Sequence, residues 1–251
     1  MSAVSLAARQ AGFDLRLLLR NGEQLLLTLV IPVVLLVVLT ASDVVSLGQP
    51  PGVPRVDAAL AGVLAVAVLS SAFTSLAIAT GFDRRSGAFL LLATTPLTRA
   101  TILAARSLAT LLIVALQVAL LFGVAAVLGW RPAPGDVAAT LALVAIGALS
   151  LGALGFALGG ALRAEATLAV ANAVFLILLV AGGSALPTSS LPGPMASVVA
   201  WLPSALLGDG LRQCLASESA QGPLSLAVTV LALGAWMAVG AAVARRTFRW
   251  E

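Results

Sequence analysis

The sequence predicts an all-α membrane protein with six transmembrane helices, an amphipathic interfacial helix ahead of them and a short re-entrant or interfacial helix before the last span. Three observations lead there. Of the 251 residues, 61% are hydrophobic and 10% charged, whereas a soluble domain carries roughly 25% charged residues. Apolar runs about 20 residues long, the length that spans a hydrocarbon core, recur along the whole chain. Arginines cluster in alternate connections between those runs, the pattern of a chain that crosses a bilayer repeatedly.

The elements follow in order. Residues 1–24 interleave Val4, Leu6, Phe13, Leu15, Leu17, Leu18 and Leu19 with Arg9, Arg16 and Arg20, the composition of a helix lying in the membrane interface. This segment is long and carries Asp14 and Glu23, so the chain's start reads as a retained elbow and not as a signal peptide. Six spans are expected at Leu25 to Ala41, Ala58 to Thr80, Ile102 to Leu128, Val137 to Leu162, Ala166 to Leu186 and Leu224 to Ala244. Residues 25–244 thus form one bundle, with 245–251 as a tail and the whole chain as a single domain. Ten arginines flank it on one side: Arg9, Arg16, Arg20, Arg84, Arg85, Arg99, Arg163, Arg245, Arg246 and Arg249. Only Arg55, Arg131 and Arg212 lie opposite, which places both termini in the cytoplasm.

Missing residues exclude whole chemistries. The chain has no His, no Lys and no Tyr, and Cys214 is its one cysteine. A haem axial imidazole, a zinc-protease motif and a thiolate cluster therefore lack their ligands. Without Lys there is no P-loop, so any ATP and Mg would be bound by another polypeptide. The pI of about 11.2 restates the use of Arg for every basic residue, the formal charge of +4 reflects arginine at the membrane faces, and nucleic acid is not an expected partner.

Few side chains at depth can carry function. Gln117 and Asn172 either line a path or hydrogen-bond between helices, and Arg106, early in the third span, reads as an anchor snorkelling to the membrane face. Gly155 and Gly159 have the small-x-x-x-small spacing that lets two helix backbones approach, within one chain or between two. The connection from Gly81 to Arg99 starts charged, turns at Gly87, runs through the apolar Phe89 to Leu92 and breaks at Pro96. It reads as a short helix that either plugs the bundle or is gripped by a partner. The segment Trp201-Leu-Pro-Ser through Gly210-Leu-Arg212 is too apolar for a free loop and too broken to span, with Trp201 expected at headgroup level.

These last two segments resemble motifs of the ABC type-2 exporter family, and the resemblance covers essentially the whole chain. Asp83, Gly87, the Phe89 to Leu92 run and Thr94-Thr95-Pro96-Leu97 are similar to the family's loop after the second span, while Leu202-Pro203 through Gly210-Leu211-Arg212 is similar to its motif before the last. The second acid common in the family is absent, with Ala88 and Phe89 near its place. The resemblance implies a permease subunit in a bacterial plasma membrane that pairs with a second permease subunit, identical or not, amid membrane lipid. It implies docking of a separate ATPase subunit through Phe82, Asp83, Arg84, Arg85, Gly87, Phe89, Leu90, Thr95, Pro96 and Leu97. Cargo of lipid-like or drug-like character would move outward. The family's cytochrome c maturation relatives, linked with haem export, share this size and span count, and a membrane scaffold or assembly factor is the non-transport alternative. No catalytic or cofactor-binding residue is expected in the chain itself.

Overall fold

The computed structural model describes residues 3–42, 47, 52–94, 98–180, 193–215 and 223–247, and among them there is no strand. The helices in chain order are α1 (Ala3–Arg20), α2 (Leu26–Ala41), α3 (Arg55–Arg85), α4 (Ala88–Ala93), α5 (Arg99–Val127), α6 (Pro134–Ala161), α7 (Ala164–Val180), α8 (Gly193–Val199), α9 (Pro203–Leu215) and α10 (Leu226–Thr247). A single turn at Gly22–Leu25 joins α1 to α2. Of these helices α3, α5, α6 and α10 are long and apolar enough to cross a membrane, whereas α2 and α7 are shorter apolar helices. At 1.5 Å per residue those two rise about 25 Å, less than the ~30 Å of a hydrocarbon core. The fifth span expected from the sequence continues past Val180 to residues outside the described set.

Local chemistry sets the helix ends. Thr98 caps α5, its Oγ1 accepting from the Thr101 N–H at 3.2 Å. Pro134 opens α6, with Asp136 in its first turn, where a fixed φ and a negative charge both suit a helix start. Arg84 and Arg85 close α3 and Arg245 and Arg246 close α10, positive charge at the negative end of each dipole. Gly87 then turns the chain at φ +75°, a left-handed conformation that glycine adopts without steric cost.

Glycine determines how α6 packs. A Cβ on Gly155 would lie 2.5 Å from the Phe73 carbonyl oxygen, and one on Gly159 would lie 2.3 Å from that of Ala77. Both contacts are with α3 of the same chain, so this spacing serves packing within the chain. On another face of α6, a Cβ on Gly240 of α10 would come within 2.9 Å of the Ala153 backbone. Lipid tails are as apolar as leucine, so such close backbone approach, rather than expulsion from water, holds membrane helices together. Around this contact Leu60, Leu64, Leu69, Leu121, Leu151, Leu206, Leu207 and Leu211 form the fully buried centre.

The helix before the last one belongs to that core. α9 is buried along nearly its whole length, packed on α3, α6 and α10, a placement that suits a re-entrant helix and not one lying on the bundle surface. Asp209 and Arg212, both nearly buried, pair at 3.0 Å and so neutralise each other there. Trp201, half exposed, offers its carbonyl to the indole N–H of Trp236 at 2.9 Å.

The glycine contacts give a direct test. Gly159→Val forces a side chain against a carbonyl that cannot rotate away, and should lower stability by about 3 kcal/mol or more. Gly123, whose Cβ would meet nothing within 4 Å, should accept alanine with a gain of about 0.5 to 1 kcal/mol. Thermal unfolding of the two purified variants in one detergent separates these outcomes.

Candidate functional site

Four helices meet where α3 ends, and each brings one functional side chain. α5 contributes Arg106, α3 Asp83, α1 Asp14 and α4 Phe89. The Arg106 guanidinium pairs with Asp83 through Nη2 and lies 3.3 Å from Asp14 Oδ2 through Nε. Its Cζ sits 5.7 Å from the centre of the Phe89 ring, within cation–π range. Asp14 is 5% exposed. Burial raises its carboxyl above the usual carboxylate range, against the pull of Arg106 and of the hydrogen bond from Gln10, and the nearby Asp83 charge raises it further. One cation thus serves two acids.

Arg106 is therefore not the free snorkelling anchor expected from the sequence. Its position early in a span suggested that reading, but two carboxylates from other helices lie within reach, and in a low-dielectric setting a paired charge is far less costly than a lone one. Asp14 was the residue missed. Its one visible signal was an acid on an otherwise leucine-rich helix, four residues after Gln10, which donates to it at 2.9 Å. The buried face of α1 carries Ala11, in contact with Ala105 and Ala109 of α5, while Phe13 and Leu17 point outward.

Phe89 corrects a second expectation. The sequence leaves two roles for the Phe89 to Leu92 run, a plug of the bundle or a patch gripped by a partner, with Phe89 among the residues expected to dock. Instead Phe89 is fully buried and belongs to a hydrophobic cluster with Leu76 of α3, Ile102 of α5, Phe156 and Ala157 of α6 and Ala244 of α10. Leu90 and Leu91, at 50% and 72% exposure, are the outward residues of α4. A six-residue helix has two faces, and a run of consecutive apolar residues does not reveal which is inner.

The neighbouring basic residues are also engaged. Arg84 donates to the carbonyls of Gly160 at 2.6 Å and Leu162 at 3.2 Å, capping the end of α6, where helix carbonyls lack partners. Arg85 pairs with Glu165 of α7, both exposed. Phe82 is 40% exposed, and Thr95, Pro96 and Leu97 lie outside the described residues. Of the two polar residues expected at depth, only Gln117 joins helices. It donates to the Thr28 carbonyl at 2.7 Å and pairs with Ser71 Oγ at 3.0 Å. Thr28 and Ser71 each lie in a π-helical turn, Leu26–Val30 in α2 and Leu69–Ser75 in α3, where the wider ladder disturbs the backbone hydrogen bonds. Asn172 is exposed and donates to the Leu168 carbonyl on its own helix at 2.9 Å. Among the described residues no group of His, Cys, Asp and Glu is placed to hold a metal ion.

The Arg106 cluster gives a prediction of its own. Arg106→Leu leaves Asp14 and Asp83 facing each other and should cost about 3 to 5 kcal/mol. Adding Asp14→Asn to that variant removes the stranded buried charge and should restore part of the loss. Thermal unfolding of the single and double variants measures this, and equal stability of the two would remove Asp14 from the cluster.

The sequence profile described as ABC-2 family transporter protein matches residues 39–244. No curated protein matches the chain. The profile reaches from the end of α2 to the end of α10, so it takes in α3 with its charged end, the buried Phe89, the glycine contacts of α6 and the inserted α9. Apolar helices of spanning length and this match together make the chain a multi-pass membrane transport component that belongs to the ABC-2 transporter family.

Proposed function

We propose that the chain is the permease subunit of an ATP-driven exporter, coupled to a separate ATPase subunit at α4. In this reading α2, α3, α5, α6, α7 and α10 are six spans, both termini and α4 face the cytoplasm of a bacterial cell, and a second permease subunit completes the transport path. The orientation rests on the ten arginines at one side. ATP and Mg belong to the partner, because the chain has no lysine for a P-loop. Outward movement of a lipid-like or drug-like cargo follows from the resemblance.

One observation carries the coupling assignment. α4 offers Leu90 and Leu91 to the outside while Phe89 is fully buried in a hydrophobic cluster that also draws residues from α3, α5, α6 and α10. A partner holding the outer face pulls directly on the inner one. Displacement of α4 reaches α3 through Leu76, α5 through Ile102, α6 through Phe156 and α10 through Ala244. Close-packed interiors deform little, so such a displacement moves the helices as bodies.

Leucines and phenylalanine should consequently fail in different ways. Leu91→Arg should weaken ATPase docking by about 2 kcal/mol or more, as for a central interface side chain, and leave folding intact. Phe89→Ala should destabilise the chain by about 3 to 5 kcal/mol and uncouple hydrolysis from transport. Arg84→Ala should affect docking least, since that side chain is already spent on α6. Copurification of the ATPase subunit at matched permease levels checks all three. Full recovery with both Leu91→Arg and Leu90→Arg would remove α4 as the docking element and favour the scaffold reading.

A further inference from the structure

A cavity of about 510 Å³ lies between α1 and the helices α2, α3, α4 and α5, and the Arg106 cluster forms one end of it. Among the described residues its charged lining side chains are Asp14, Asp83 and Arg106. Two carboxylates against one guanidinium leave that end with an excess of negative charge. Asp14 Oδ2 is buried and accepts no hydrogen bond among the described residues, although it lies 3.3 Å from Arg106 Nε. The guanidinium is shared between two carboxylates, so Asp14 Oδ2 keeps unused acceptor capacity at a buried position. The rest of the wall is mostly apolar, with Phe13, Leu17, Leu25, Leu76, Leu91 and Ile113, and carries the hydroxyl residues Thr28, Ser71, Ser75 and Thr110 among them. About 18 Å of helical rise separates Ser71 from Asp83 along α3, and both line the cavity. The space is therefore elongated, with its charges gathered at one end and a mostly apolar, hydroxyl-dotted wall along the rest.

We infer that this cavity binds an amphiphile whose head is a protonated amine and whose apolar tail runs along α3 toward Ile113. The ammonium supplies a second cation to two carboxylates that share the Arg106 guanidinium, with N–H donors for the lone pairs that guanidinium leaves open. An anionic head would add a like charge beside Asp83 and is rejected by it. A neutral head of the same size leaves Asp14 Oδ2 unsatisfied. The volume lies in the range of pockets that hold small ligands. Two sources share this chemistry, a free lipophilic amine and an aminophospholipid of the surrounding leaflet. Ala88 and Leu91 of α4 border the cavity, yet occupancy is read on the permease chain alone, so its outcome does not depend on recovery of the ATPase subunit.

The test uses the full-length chain in nanodiscs of phosphatidylglycerol, which has no amine, doped in turn with dodecylamine, dodecanol and dodecanoate, with bound amphiphile counted by native mass spectrometry. Dodecylamine should be retained about tenfold over dodecanoate. Asp14→Asn should lower dodecylamine retention about tenfold and leave dodecanol unchanged, which shows the cavity intact. Ala79, which lines the cavity and is partly exposed, provides a second variant: Ala79→Leu should reduce retention of amine and alcohol alike. With phosphatidylethanolamine added, displacement of dodecylamine identifies the aminophospholipid as the occupant, and retention identifies the free amine. Equal retention of the three amphiphiles, or amine retention untouched by both Asp14→Asn and Ala79→Leu, would overturn the assignment.

Discussion

The guanidinium of Arg106 is the constraint on which the arrangement of this bundle end depends. A charge on an apolar helix must be paired, and the pairing here draws one acid from α1 and another from the end of α3. The elbow helix is thereby tied to the bundle by an interaction stronger than the small-residue contact of Ala11 with Ala105 and Ala109. The same guanidinium covers the ring of Phe89, so the position of α4 is fixed from above by charge and from below by packing. Remove the cation and two carboxylates repel at the point where three helices converge.

Deeper in the bundle a different economy holds. There the contacts are backbone against backbone, at Gly155, Gly159 and Gly240, with few polar groups to satisfy. Where the helical ladder widens into π turns, Gln117 bridges them from a third helix, donating to the Thr28 carbonyl of α2 and accepting from the Ser71 hydroxyl of α3. In hydrocarbon no water can take that role. The interior is therefore tightly joined, and a displacement imposed at α4 has a short, continuous path into α3, α5, α6 and α10.

Much of this was legible in the sequence because the bilayer demands long apolar runs. The long helices α3, α5, α6 and α10 sit where those runs lie, the turn at Gly87 follows from the residue itself, and α4 appears within the stretch expected to be helical. What could not be read was which residues face each other. Spacing marks Gly155 and Gly159 as a close-packing pair, yet only the fold shows that the partner is α3. Hydrophobicity marks Phe89 and Leu91 alike, although one is buried and the other open. Asp14 and Arg106 are 92 positions apart in sequence, and nothing local to either predicts their ion pair. The inner ends of charges and the sides of short helices are tertiary facts, set by packing that periodicity does not encode.

The claim that Arg106 fixes both the elbow and α4 is open to one direct measurement. Spin labels at Arg16→Cys on α1 and Leu90→Cys on α4, both exposed positions, report the separation of the two helices in a Cys214→Ala background. Pulsed electron paramagnetic resonance of the reconstituted permease should give one narrow distance distribution, and Arg106→Gln should broaden it. A distribution of unchanged width and centre in Arg106→Gln would contradict the account, because α1 and α4 would then be held in place by something other than that guanidinium.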